Sequence, residues 1–501
     1  MKTFTIDENL YSSCGFFALN STSFPQMKPS SESEVTSPVV SSVPSTETPV
    51  SNSSLSNITR RELLIGGGKV AVAAAVTSLF SPFNIYVKAA APKSISFWQF
   101  YGPGGGSKLQ DQWFQDMVKS WNSSHDVKVE LLYVPNQEYM NGSKLQTAFA
   151  SGQGPDIFII SPGDFLRYYN GDVLVDLSQY MEDAAKKDFF DNVMETRIVD
   201  GKIYGLPMEV EPMAMYYSHK AFAEAKLSEA DIPRTWDQLI EVSKKLTKKN
   251  QFGCLFETGP GYYQNFTWYP FLWQGGGDMV TPDGKKSAFN SPGAAQALKF
   301  WQDTIKQNVS PRNELGGGGG DVVGNMVSGY CAIQNLGIWG VSALREGAKG
   351  FEYGVFPCPT PPNGTPKSVL GGWSFVANAK GKDPETAAKF CVWALGSMSD
   401  DSIGRVVDWC IKAKSDVSPR KSALEKATQL GGYSDGPMKV FKDEVFPTGR
   451  GEPRVPPEVY KAVSDAIQAC QLGGANPEQQ AASASQNIDS FLAGYSGAPL
   501  K

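Results

Sequence analysis

The stretch DGKIYGLPMEVEPMAMYYSHKAF, residues 200–222, decides the fold. Asp200-Gly201 is a tight-turn pair, and Ile203 and Tyr204 open an extended run. Pro207 and Pro212 bracket an acidic segment that cannot be helical throughout, because each proline lacks a backbone donor and biases its predecessor toward extended backbone. Glu209 and Glu211 stand two apart, which puts both carboxylates on one face of an extended segment. MAMYY (213–217) then reads as a strand, and SHKAFAEAKL as the start of a helix. Non-helical acidic backbone wedged between apolar strands suits a hinge that also touches a ligand.

The same residues resemble the G-K-x-Y-G-x-P…YYN-K-x-x-F segment of the sugar-binding proteins of bacterial ABC importers, the extracellular solute-binding family that includes the maltodextrin-binding type. TWDQLIE (Thr235–Glu241) continues the match, which covers roughly Lys93 to Leu492. The resemblance implies an α/β chain with the two-lobed periplasmic-binding-protein fold (type II), its lobes joined by several hinge crossovers, of which this stretch is the first. The boundaries expected are 93–208 with 374–412 for the N-terminal lobe, and 209–373 with 413–495 for the C-terminal lobe. It also implies a monomeric binder of a small-molecule sugar, read by membrane permease subunits, with no cofactor, no metal and no catalytic residue.

Composition agrees. At 501 residues the chain exceeds a single ordinary core, so two lobes are expected once a targeting segment is set aside. With 46 Lys+Arg against 51 Asp+Glu the formal charge is −5, which supplies no basic field for nucleic acid. The two histidines, His125 and His219, sit in no metal-ligand or triad spacing. Seven cysteines, Cys14, Cys254, Cys331, Cys358, Cys391, Cys410 and Cys470, form no CxxC pair and read as buried small hydrophobes.

Residues 1–57 hold 15 Ser and 6 Thr with almost no apolar periodicity, so they are expected to form a disordered extension. Thr59-Arg60-Arg61-Glu62-Leu63-Leu64-Ile65 and the Ala/Gly-rich run that follows resemble a twin-arginine export signal, whose pattern is Ser/Thr-Arg-Arg-x-Phe-Leu-Lys. Leu63 and Ile65 depart from it, which leaves Sec export open. Lys69 and Gly66–Gly68 interrupt the run, making it a poor membrane anchor. Residues 58–91 are thus expected to be an export signal cut after Ala89 or Ala91, releasing a soluble periplasmic protein.

The exported part opens with SISFWQFY (94–101), a strand, then GPGGGSK and an amphipathic helix from about Leu109 to Trp121. The loop lacks P-loop spacing. A strand at Val127–Val134 and a helix around Tyr139–Ser151 follow, and GPDIF (154–158) places Asp156 as a turn carboxylate bonding local backbone. In the resembling family the first loop lines the sugar cleft, which makes Trp98, Gln99 and Tyr101 candidate contacts. Alternation sends one of Trp98 and Gln99 toward the core. Asp164 falls within one position of the charged sugar contacts of the maltodextrin-binding type.

GPGYYQNFTWYPFLWQGGGDM (259–279) is the most aromatic region. Flat rings stack on the C–H faces of pyranosides, so Tyr262, Tyr263, Asn265 and Trp268 are assigned to the site and Phe266, Tyr269 and Trp273 to a helix core. Asn290 or Ser291 caps the next helix, with Pro292 in its first turn. Trp339 aligns with a tryptophan that stacks on sugar in the maltodextrin-binding type. Gly371, Gly372 and Trp373 resemble a glycine-glycine-tryptophan at the second crossover, where glycines admit a ligand to the backbone. A Ser/Pro-rich return near 415–422 is the expected third crossover, and Arg454 and Tyr460 precede or open the last helical region as further contacts, with a structural ion pair the alternative for Arg454.

Two competing readings are open at this level. A secreted glycoside hydrolase needs paired carboxylates flanking a bond, which same-face residues on one strand do not supply. The same fold binding a polyol or polyamine is kept alive by Glu209, Glu211 and Asp164.

Overall fold

The computed structural model describes residues 94–501, with 141 and 317 excepted. The extension at 1–57 and the export signal at 58–91 lie outside the described residues. Among the described residues thirteen strands occur in chain order: β1 (Ser94–Gln99), β2 (Lys128–Tyr133), β3 (Ile157–Ile160), β4 (Ile198–Val199), β5 (Lys202–Ile203), β6 (Leu206–Pro207), β7 (Glu211–Ser218), β8 (Phe252–Leu255), β9 (Cys331–Gly337), β10 (Tyr353–Phe356), β11 (Ser368–Gly371), β12 (Ser374–Ala377) and β13 (Gly449–Gly451).

They build two main sheets. The first has the order β2-β1-β3-β12-β6, with β1 parallel to β2 and β3 and with β12 antiparallel to β3 and β6. The second runs β13-β11-β7-β9-β8, with β10 pairing β7. β4 and β5 form a separate hairpin at Asp200-Gly201, where both residues have positive φ, as a tight turn requires. The chain passes from the first sheet to the second between β6 and β7, and returns between β11 and β12. The parallel pairs and flanking helices are those of an α/β fold.

β7 shows why the second sheet is internal. Met213, Met215 and Tyr217 face one core cluster while Ala214 and Tyr216 face another, so the period of two buries both faces of an apolar run. The first sheet is sealed by edge-on ring contacts of Phe97 with Phe375 and Phe390, at centroid distances of 4.8 and 5.8 Å.

Local signals set most boundaries. Thr235 and Gln238 form a reciprocal capping box on the helix Trp236–Leu246. Ser291, rather than Asn290, caps Pro292–Lys306 by accepting the Ala294 N–H at 3.2 Å. Asp156 accepts from Ser96 N and Ser96 Oγ at 2.8 and 3.0 Å and from Lys382 N, a wholly structural set. The helix expected around Tyr139–Ser151 is instead two, Asn136–Met140 and Ser143–Ala150, because Gly142 adopts φ +69° between them. The six described cysteines are free and buried, as small hydrophobes are. Among the described residues no helix is long and apolar enough to cross a membrane.

Candidate functional site

Three segments cross between the sheets at one place: Met208–Val210, Gly372–Trp373, and the return at 413–417, where Val417 bridges Val210. They are held together by a buried polar cluster. Glu209 is fully buried and its carboxylate is saturated: Oε1 accepts from Tyr101 OH at 3.1 Å and Trp373 N at 3.3 Å, and Oε2 accepts from Trp409 Nε1 at 2.6 Å and Lys414 Nζ at 3.3 Å. The same ammonium reaches Glu211 Oε1 at 2.5 Å and Asp416 Oδ2 at 3.3 Å.

One ammonium faces three carboxylates in a water-poor site, so the charges cannot balance with every acid ionised. Burial pushes Glu211 up to about 7 against the opposing pull of Lys414, with Glu209 adding repulsion. Burial also raises Asp416 well above the usual carboxylate range, and its contact with Glu209 adds to that. Burial opposes the charge of Lys414 as well, but Asp416, Glu209 and Glu211 outweigh it and hold the ammonium above its ordinary range. The cluster therefore keeps the cation and retains protons on carboxyl groups. Asp416 Oδ1 is buried and has no hydrogen-bond partner among the described residues.

The carboxylate oxygens of Glu209, Glu211 and Asp416 lie within 4.8 Å of one another, a spacing that suits a metal ion. Lys414 already supplies the positive charge at that point, and the residues do not call for a metal.

A second group forms where the two sheets' appendages meet. Tyr262, first residue of the helix Tyr262–Gln274, places its hydroxyl 2.9 Å from Ser161 Oγ and donates to Glu452 Oε1. Gly163 lets it in: a Cβ there would stand 1.9 Å from Tyr262 Cε2. Beside it Asp164 pairs with Arg167 at 3.4 Å, and Arg167 Nη2 donates to Tyr460 OH at 3.3 Å. Burial raises Asp164 above its ordinary value although Arg167 opposes it, and burial likewise pushes Glu452 well up.

A third group is aromatic. Trp339, half-buried, lies 6.1 Å from Tyr263 and 6.2 Å from Phe266, ring centre to centre. Phe266 in turn abuts Gly371, whose Cβ would fall 2.6 Å from its ring. The Tyr263 hydroxyl is buried without a partner. Glu257, next to the glycine-rich loop, is raised to about 8 by burial and then by the charge of Glu314.

The sixteen candidates thus divide by their surroundings. Asp164, Tyr262 and Tyr460 come together, as do Tyr263, Trp339 and Gly371. Glu209, Glu211, Tyr101, Gly372 and Trp373 meet at the crossovers. Gln99 folds back on its own turn, its Oε1 accepting from Tyr101 N at 2.6 Å and Gly102 N at 2.8 Å. Trp98, half-buried, packs against the core of the first sheet.

Asn265 is fully buried, donating to Tyr460 O at 2.6 Å, and Trp268 is fully buried within the helix core. Arg454 donates to Ile198 O and Pro499 O, both at 2.7 Å, and so ties the C-terminal tail rather than an ion pair. A groove of about 1160 Å³ lined by Tyr169, Tyr204, Phe491 and Tyr495 contains none of the candidates.

Sequence reasoning passed over Lys414, Asp416, Trp409, Glu257 and Glu452. Glu452 lies two residues before Arg454, but nothing local marks it. Lys414 and Asp416 are meaningful only once three distant segments converge.

With that geometry in hand, a family model described as bacterial extracellular solute-binding protein matches residues 105–399, more than half of the chain. The chain belongs to that family. Among curated relatives of this solute-binding protein, the galactooligosaccharide-binding protein of Bacillus subtilis is 24% identical, over 82% of this chain and 95% of its own length. Among solved structures, the cyclic α-maltosyl-1,6-maltose-binding protein of Arthrobacter globiformis superposes with a TM-score of 0.66 at 24% identity, covering 80% of this chain and 99% of that one. An ABC transporter solute-binding protein of Thermotoga lettingae, bound with α-D-tagatose, gives 0.67 at 24%, over 80% and 100%. The architecture is therefore the two-lobed α/β solute-binding fold.

Proposed function

We propose that this protein is the substrate-capturing component of an ABC importer and takes a neutral carbohydrate, a mono- to oligosaccharide or glycoside, between its lobes. The observation that carries the reading is that Tyr262, from one sheet's elements, reaches Ser161 beside Asp164 from the other's, while the next residue, Tyr263, stands beside half-buried Trp339. Rings to stack on a sugar and carboxylates to take its hydroxyls then come from both sides. A ligand touching both lobes binds the closed arrangement better and so shifts the population toward it. The family placement and the sugar named for each relative above support the same reading.

No bond is made or broken in this account. Glu209 and Glu211 are both tied to one ammonium, Lys414, and so do not form the separated acid and base pair that a hydrolase requires. The lobes are taken as 93–208 with 374–412 and 209–373 with 413–495. Residues 58–91 direct export to the periplasm by the twin-arginine route, and the closed monomer is read by permease subunits.

Within the cleft we place Asp164, Glu211, Tyr262, Tyr263, Trp339 and Tyr460 as ligand contacts. Glu209, Tyr101, Gly372 and Trp373 serve the hinge. Titration calorimetry of the exported chain against maltotriose, galacto-oligosaccharides, polyols and polyamines tests the reading. Heat with a neutral sugar and no product supports it. Response to polyamines alone overturns the ligand, and released sugar products overturn the binder.

A further inference from the structure

We propose that Lys414 is the positioning residue of the hinge: one ammonium from the third crossover holds the two carboxylates of the first, and through Glu209 the second, so that the three segments turn as one. This rests on the two-lobed binder reading of the preceding subsection and adds the element that fixes how the lobes meet.

The geometry is specific. Lys414 has three ammonium protons and three carboxylate neighbours, Glu209 Oε2 at 3.3 Å, Glu211 Oε1 at 2.5 Å and Asp416 Oδ2 at 3.3 Å, with Tyr101 OH at 3.4 Å. Glu209 and Glu211 belong to the passage into β7. Glu209 also accepts the backbone N–H of Trp373 at 3.3 Å, which belongs to the passage into β12. Gly372 must lie flat against this joint: its φ is +115°, and a Cβ there would stand 2.5 Å from Glu209 O. Trp409 and Tyr101 close the cluster from the first lobe. Every route between the lobes is therefore bonded to this cluster, and Lys414 is the only cation that touches it among the described contacts.

Removal of one partner from a buried charge group leaves the others uncompensated. With Lys414 gone, the bonds that join Glu209 and Glu211 of the first crossover to the third are lost, and the carboxyls there repel one another or take up further protons. The lobes then lose a single relative orientation although each sheet keeps its own core. A merely structural lysine would lower stability without affecting that orientation.

The titratable groups facing the joint are Tyr101, Glu209, Glu211, Lys414 and Asp416. Cys410, Arg197, Glu452 and Tyr263 stand behind them. Glu211, raised to about 7, is the member that changes charge near neutrality. Its protonation weakens the shortest of the three ammonium contacts.

The test uses the full chain carrying Cys14→Ser, with spin labels at Lys119→Cys on the first lobe's long helix and Lys299→Cys on a second-lobe helix, both exposed. The described native cysteines are buried and do not compete. Electron double resonance, without any sugar, reads the interlobe distance. The parent is expected to give one narrow distance at about pH 8 and a second, longer population at about pH 5.5, on either side of the Glu211 transition. Lys414→Met is expected to show the second population at both pH values and Lys414→Arg to restore the single distance at about pH 8.

A single narrow distance in folded Lys414→Met overturns the proposal. Should that variant fail to fold, Glu211→Gln decides: the second population at both pH values supports the proposal, and a parent-like pH response overturns it. Because no sugar is added, failure here leaves the carbohydrate reading standing, and failure of the calorimetric titration leaves this one standing.

Discussion

Trp409 Nε1 donates to Glu209 Oε2 at 2.6 Å, and neither residue is exposed to solvent. The indole belongs to a helical segment packed on the first lobe, and the carboxylate lies at the start of the passage to the second. Trp409→Phe keeps the ring against Tyr101 and Trp113 but leaves a buried carboxylate one donor short. A loss of about 1–3 kcal/mol is expected, read as a lower urea midpoint with an unchanged slope.

Trp339 and Trp373 are predicted to separate binding from folding. Trp339 is half-buried beside Tyr263, so Trp339→Ala is expected to weaken sugar binding about tenfold, the order of an aromatic contact of about 1.5 kcal/mol, while unfolding stays cooperative. Trp373 is 8% exposed and packs edge-on against Phe100 at 4.8 Å and Tyr139 at 6.2 Å. Trp373→Ala is expected to cost about 3–5 kcal/mol of stability. Calorimetry and denaturation on the two variants check the contrast.

Stability is expected to fall as pH rises from 5 to 8. Glu257 and Glu211 are raised, to about 8 and about 7, chiefly by burial, so each holds in the folded state a proton that the unfolded chain releases. A raised folded value gives stability that is complete below the ordinary 4.5 and lost as pH passes through the folded one. Glu257→Gln removes its share, so the decline between pH 7 and 8 should flatten. Urea midpoints at four pH values decide this.

Gly163 admits Tyr262, and a Cβ there meets the ring at 1.9 Å. Gly163→Val is expected to prop the lobes apart, leaving thermal stability nearly unchanged while weakening sugar binding by more than tenfold, since about 1.4 kcal/mol of lost closure is a factor of ten. Unchanged affinity would show that Tyr262 does not mark the closing surface.

Much of the fold was legible because its signals are local. The two prolines around Glu209 forced extended backbone, the Asn290-Ser291-Pro292 run marked a helix start, and MAMYY read as a strand. Gly142 shows the limit of such reading: its left-handed backbone splits one apolar run in two, and periodicity does not register φ. At the site, ring stacking assigned Trp268 to the ligand side, yet the whole helix Tyr262–Gln274 is enclosed beyond its first two residues. Arg454 read as a cleft cation and instead holds the backbone of the C-terminal tail, a role set by residues 45 positions on. Lys414 stayed invisible because its three partners come from other segments or the far side of a turn.

The measurement that tests the central claim most directly is small-angle scattering of the exported chain, titrated with neutral oligosaccharides and with the sugar recovered afterwards. The account predicts a smaller radius of gyration with one sugar class and full recovery of that sugar intact. No contraction with any sugar, or recovery of cleaved product, would contradict it.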